Sequence, residues 1–141
     1  GDNGEDHLSG DNGDDLLAGG AGFDALNGDD GNDNLSGGSE NDLLFGDNGD
    51  DIASGNSGDD TLSGGDGADN LSGGTDQDFL IADIGNDTLQ GDLGDDTVNY
   101  NPSPSSTIVN IDETRSYGDL TEPEGVNLID PFTISPGSAI D

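Results

Sequence analysis

Leucine recurs at every ninth residue over the first two thirds of the chain, from Leu8 and Leu17 through Leu26, Leu35, Leu44, Leu62, Leu71 and Leu80 to Leu89, with Ala53 and Val98 keeping the interval. The residues flanking each are drawn largely from Ser, Thr, Asn and Ala, and six residues dominated by Gly and Asp separate one triplet from the next. A fixed period of nine is the mark of a stacked repeat rather than of a helix or a conventional sheet. In an extended triplet the side chains alternate, so the leucine points inward and its neighbours outward. Glycine holds the first position in ten repeats and the fourth in nine, marking backbone with positive φ or with other backbone close by. The pattern therefore predicts eleven nonapeptides over residues 1–99, positions one to six forming a turn and the remaining three a very short strand.

The sixth position is aspartate in all eleven repeats: Asp6, Asp15, Asp24, Asp33, Asp42, Asp51, Asp60, Asp69, Asp78, Asp87 and Asp96. Acids also occupy the second position six times, the fifth five times and the third and fourth twice each, and never the seventh, eighth or ninth. A solvated acidic tail has no reason to exclude acids from one third of every repeat. Turn carbonyls pointing to one side, together with a carboxylate, make the all-oxygen environment a hard cation prefers. The whole chain of 141 residues has 33 acids against one arginine, Arg115, a formal charge of -32. Hydrophobic residues are only 27%, so burial alone cannot order the chain, and a cation is the missing partner. The same balance argues against nucleic acid and against an anionic membrane surface. No apolar run is long enough to span a bilayer, and the absence of cysteine removes disulfides and thiolate metal sites.

The consensus Gly-Gly-x-Gly-x-Asp-x-Leu-x, clearest in Gly19–Asn27 and Gly64–Ser72, resembles the repeats-in-toxin (RTX) calcium-binding nonapeptide. The resemblance implies an all-β fold, a right-handed parallel β-roll (solenoid) with two nonapeptides per coil. Odd repeats then stack along one edge and even repeats along the other, with Ca2+ between loops two repeats apart. Six odd loops enclose five gaps and five even loops four, so about nine sandwiched ions are expected, with weaker sites at the ends. The eleven aspartates would bridge neighbouring ions. Backbone carbonyls at positions one to four would complete the ligands: Gly10 and Asn12; Gly19, Gly20, Ala21 and Gly22; Gly28, Asp30 and Gly31; Gly46, Asn48 and Gly49; Gly55, Ser57 and Gly58; Gly64, Gly65, Asp66 and Gly67; and Gly85 and Gly94.

The resemblance also implies a secreted or cell-surface protein of a Gram-negative bacterium, exported by the type I route. The expected function is a module that is disordered without calcium, folds on binding it outside the cell, stabilises the parent and assists its export. Magnesium, which demands near-ideal octahedral geometry, should substitute poorly. An alternative reading is an adhesin solenoid whose outer face contacts ice or carbohydrate, but position seven carries no regular threonine array. No loop has the EF-hand spacing. Identical carboxylates in every repeat, with one histidine (His7, an exposed filler) and no cysteine, leave no catalytic centre; a separate catalytic domain in the parent is compatible with this.

Glu40 and Asp76 replace the fourth-position glycine, and distortion is expected at Glu40. Ala53 and Ala82 mark weak points, and Leu43, Phe45, Phe79 and Ile81 should share one outer face. Residues 100–141 hold all five prolines and leave the register. Here a capping strand segment is expected at 100–116, built on Thr107–Ile111 and covering the Val98 layer, with an irregular tail or linker over 117–141. The whole reads as a monomeric fragment flanked by further domains of a longer chain.

Overall fold

A computed structural model describes residues 1–100, 108–110 and 127–128. The chain coils through strands β1 (His7–Ser9), β2 (Leu16–Ala21), β3 (Ala25–Asp30), β4 (Asn34–Ser39), β5 (Leu43–Asn48), β6 (Ile52–Ser57), β7 (Thr61–Gly67), β8 (Asn70–Thr75), β9 (Phe79–Ala82), β10 (Ile84–Gly85), β11 (Thr88–Leu93) and β12 (Thr97–Tyr100), followed by β13 (Ile108–Asn110) and β14 (Asn127–Leu128). Two parallel sheets result, one ordered β1-β3-β5-β7-β9-β12 with β10 also on β7, the other β2-β4-β6-β8-β11-β13-β14. From β1 to β9, successive strands of each sheet are joined through a strand of the other. The chain is thus a parallel β-solenoid of about five turns, consistent with the β-roll and containing no helix among the described residues.

Position eight supplies the core. Leu26, Leu35, Leu44, Leu62, Leu71, Leu80 and Leu89 are fully buried, Leu17 and Ala53 nearly so, and Leu8 and Val98 pack against the ends of the columns. Parallel pairing keeps the same repeat position in line, as in Leu26↔Leu44 and Leu44↔Leu62, so one leucine per nonapeptide builds two continuous columns. The outer face of the first sheet carries Leu43, Thr61 and Phe79 in one row and Phe45, Ser63 and Ile81 in the next, which places the apolar residues on a common face as expected.

The strands are longer than the sequence pattern predicts. Most run six residues, because positions one to three of the following repeat continue the ladder, as in Gly20↔Gly38 and Ala21↔Ser39; only positions four to six turn. The extension is kinked at position two, where Asp11, Asp29, Asp47, Asn56 and Asp92 have φ between 68 and 79. Asp and Asn accept this left-handed region better than other non-glycine residues, which accounts for much of the acid at that position.

The expected distortion at Glu40 is absent. Its φ is 73, yet β3, β5 and β7 pair without interruption beside it. Glu40 Oε2 accepts a hydrogen bond from Gly22 N at 2.8 Å, which offsets the backbone cost. The irregularity lies at Ala82 instead, where β9 ends and β10 resumes only at Ile84. Beyond the repeats, Ile108–Asn110 pairs with Thr88–Gln90 and Asn127–Leu128 pairs in turn with β13. The remainder of the expected cap and tail lies outside the described residues.

Candidate metal centre

At position four of most repeats the backbone takes positive φ, for example 116 at Gly13 and 134 at Gly49. The chain reverses there and carries the sixth-position aspartate inward, so that all from Asp24 to Asp87 are buried, none more than 3% exposed. Each uses its main chain and one carboxylate oxygen to join coils. Asp42 N donates to Asp60 Oδ1 at 2.7 Å and Asp60 N to Asp78 Oδ1 at 2.9 Å. Along the other edge Asp33 N donates to Asp51 Oδ1 at 2.8 Å and Asp51 N to Asp69 Oδ1 at 2.9 Å. The aspartate carbonyl is also taken, as where Thr61 N donates to Asp42 O at 2.9 Å.

The second carboxylate oxygen is left over. Oδ2 is buried without a hydrogen-bond partner in Asp15, Asp24, Asp33, Asp42, Asp51, Asp60, Asp69, Asp78 and Asp87. A buried ionised oxygen with no donor is costly unless a counter-charge meets it, and the chain holds only one Lys or Arg side chain against its 33 acids. The space beside Oδ2 is shaped by glycine. A Cβ placed on Gly10 would lie 2.8 Å from Asp15 Oδ2 and 2.7 Å from the Gly28 carbonyl oxygen, so any side chain there would fill the cradle. The same pairing of an aspartate Oδ2 with a first-position carbonyl of the next coil recurs at Gly19, Gly28, Gly46 and Gly55. This donor chemistry suits Ca2+.

The other expected carbonyls fare differently. Those of position four, such as Gly13 O and Gly49 O, face the corresponding glycine one coil on. Those of position three already accept one main-chain hydrogen bond: Ala21 O from Gly4 N at 2.6 Å, Asp30 O from Gly13 N at 2.7 Å, Asn48 O from Gly31 N and Asp66 O from Gly49 N, both at 2.9 Å. A carbonyl has two lone pairs, and the second stays available. Among the described residues no three His, Cys, Asp or Glu side chains gather at one point, because one aspartate per loop is surrounded mainly by main-chain oxygens.

A further stitch escapes the sequence reading. Fifth-position side chains accept from the fifth-position N–H one coil on: Asp14 from Asn32 N at 2.9 Å, Asn32 from Asp50 N at 2.9 Å, Asp50 from Ala68 N at 2.9 Å and Asn41 from Asp59 N at 3.0 Å. Sixth-position carboxylates reach toward the preceding coil and fifth-position groups toward the following one. The signal was the interchange of Asp with Asn at position five, which a hydrogen-bond acceptor tolerates and a charge-bearing ligand does not.

Burial pushes the Asp60 carboxyl up to about 7 and those of Asp69 and Asp78 up to about 6, against the 3.8 of an exposed aspartate. Desolvation is the main cause. The N–H bond to Oδ1 opposes it, and carboxylates one coil away, Asp78 and Asp42 around Asp60, reinforce it. Because the folded values lie above the unfolded one, these groups subtract stability from the metal-free roll above about pH 7; the penalty fades through pH 7 to 6 and is gone below 3.8. Two outcomes are expected. Without metal, far-UV circular dichroism gains β signal on acidification from neutrality, and with metal the calcium midpoint rises over the same interval as protons compete for Oδ2. A metal-free spectrum that loses β signal on acidification would contradict this assignment.

A family model for the RTX calcium-binding nonapeptide repeat matches in four copies, over residues 1–26, 27–62, 45–80 and 63–98. No curated protein matches the chain.

Proposed function

Since the chain belongs to the RTX calcium-binding nonapeptide-repeat family, whose repeats bind Ca2+, we propose that residues 1–99 are a calcium-operated folding module of a longer secreted protein. RTX repeats are structural calcium-binding units rather than catalytic ones, and any activity of the parent resides in another domain. The observation that carries the reading is the row of buried, partnerless Oδ2 atoms, repeated in nine consecutive coil positions from Asp15 to Asp87.

In this reading the sixth-position aspartates bridge ions within each edge, and carbonyls of positions one to four complete each shell. Nine sandwiched sites hold +18 against the 26 acids of the repeats, turning repulsion between coils into cohesion. Extracellular calcium modules bind at about 10⁻⁴ to 10⁻³ M, so the chain stays unfolded at cytosolic calcium, threads its exporter unfolded, and folds outside, where folding prevents return.

Calorimetric titration of the EDTA-treated, dialysed chain checks the site count. About nine Ca2+ per chain are expected with a cooperative isotherm, since each coil contacts only its neighbours and binding is coupled to folding. Magnesium at the same concentration should give neither. A stoichiometry below about five, or equal binding of magnesium, would overturn the stacked-site reading.

A further inference from the structure

Of the four Asn–Gly pairs in the chain, Asn27–Gly28 lies within β3, and the other three fall at the third and fourth positions of repeats 1, 2 and 6: Asn3–Gly4, Asn12–Gly13 and Asn48–Gly49. Asn–Gly pairs undergo one spontaneous main-chain reaction readily, because glycine has no side chain to obstruct it. The glycine N, losing its proton, bonds to the asparagine Cγ; the Cγ–Nδ2 bond breaks and ammonia leaves with that proton. Water then opens the cyclic imide at either carbonyl, giving aspartate or isoaspartate. The step requires a glycine N–H that is free and a turn that can rotate.

The fold withholds both. Gly4 N donates to Ala21 O at 2.6 Å, Gly13 N to Asp30 O at 2.7 Å and Gly49 N to Asp66 O at 2.9 Å. Asn3 and Asn12 are bridged to Ala21 and Asp30 of the next coil, and Asn48 is paired on both sides, with Asp30 and Asp66. Asn48 Nδ2, the leaving group, also donates to Asp30 Oδ1 at 2.9 Å. The three asparagines are solvent-exposed, so water is at hand and only the held glycine amides prevent ring closure.

We infer that Asn3, Asn12 and Asn48 are deamidation sites that the closed roll protects and the open chain exposes, making the time spent without calcium an irreversible chemical clock. This rests on calcium driving the fold. Isoaspartate reroutes the main chain through the former side chain and displaces the third-position carbonyl. At Asn48 that carbonyl holds Gly31 N at 2.9 Å, so one event there breaks the register of two coils and prevents reclosure.

The test is incubation of the whole chain in mildly alkaline buffer with CaCl2 or with EDTA, followed by peptide mass mapping and separation of isoaspartyl peptides, with circular dichroism recorded on the same samples. In EDTA the three pairs should react at a common rate, that of a short peptide with the same Asn–Gly. In calcium the Asn48 rate should fall at least about tenfold, and Asn3, in the terminal coil, should be protected least. On return to calcium, the aged EDTA sample should recover β signal only in proportion to its unmodified fraction. If dichroism shows calcium-driven folding but Asn48 reacts equally in both buffers, the protection inference falls and the folding module stands. If the chain is already β-rich in EDTA and Asn48 is protected there too, calcium gating falls together with the folding module, and the amide lock alone survives.

Discussion

Chelated with EDTA at neutral pH, the chain is expected to swell from a radius of gyration of ~15 Å to ~40 Å, the values for a compact and an unfolded chain of this length. Small-angle scattering reads the change directly. The expectation follows from the inventory of the closed roll. Its core is two single-file columns of position-eight side chains, and beside them run two files of buried aspartates whose Oδ2 atoms have no donor. Without a cation, closing the coils brings like charges one strand spacing apart, roughly 4.8 Å, in a region that water has left. Burial of Asp60 already raises its carboxyl to about 7, so closure at neutral pH means either taking up protons or burying anions. Both costs vanish when the coils separate, and the formal charge of -32 then favours an expanded chain. A radius that stays compact in EDTA would show that the backbone ladders and leucine columns suffice, and calcium would then only tune the fold.

Asp60→Asn should raise the calcium midpoint of folding by ~10-fold or more, whereas Asp6→Asn should shift it less than about twofold. The amide keeps the Oδ1 acceptor that holds Asp42 N at 2.7 Å in the chain of inter-coil bonds running through Asp60 and Asp78, so the hydrogen-bond framework survives. What it removes is the charge on a buried oxygen facing its gap, and with it a bridge between two adjacent ions. Asp6 stands in the first coil, is only partly buried, and its Oδ2 accepts from Asp2 N at 3.3 Å. Calcium titrations followed by circular dichroism compare the two variants. Equal shifts would mean that charge, and not the buried position of the ligand, governs the coupling.

Much of this arrangement was legible before any coordinates. The nine-residue leucine period predicts the columns, and the unbroken run of sixth-position aspartates marks the files of carboxylates, since a residue type repeated without exception answers to one chemical requirement. Glu40 was misjudged because left-handed cost can be read from residue type, while the Gly22 N–H that its side chain meets one coil away cannot. The strand lengths were misjudged for a related reason: glycine spacing shows where φ turns positive but not that the kinked segment still pairs with its neighbour, as Asp29 does with Asp47.

Period, inward face, strand type and the class of ion are written in the residue types, because each depends on residue types repeating at fixed intervals. How the acids divide their work emerges from the stacking of coils. Second-position aspartates accept a left-handed kink, fifth-position side chains cap the next coil's N–H, and sixth-position aspartates spend Oδ1 on the preceding coil and leave a buried Oδ2 without a donor. That division depends on which atom of one coil meets which atom of another eighteen residues away, a relation set by stacking and absent from any single repeat.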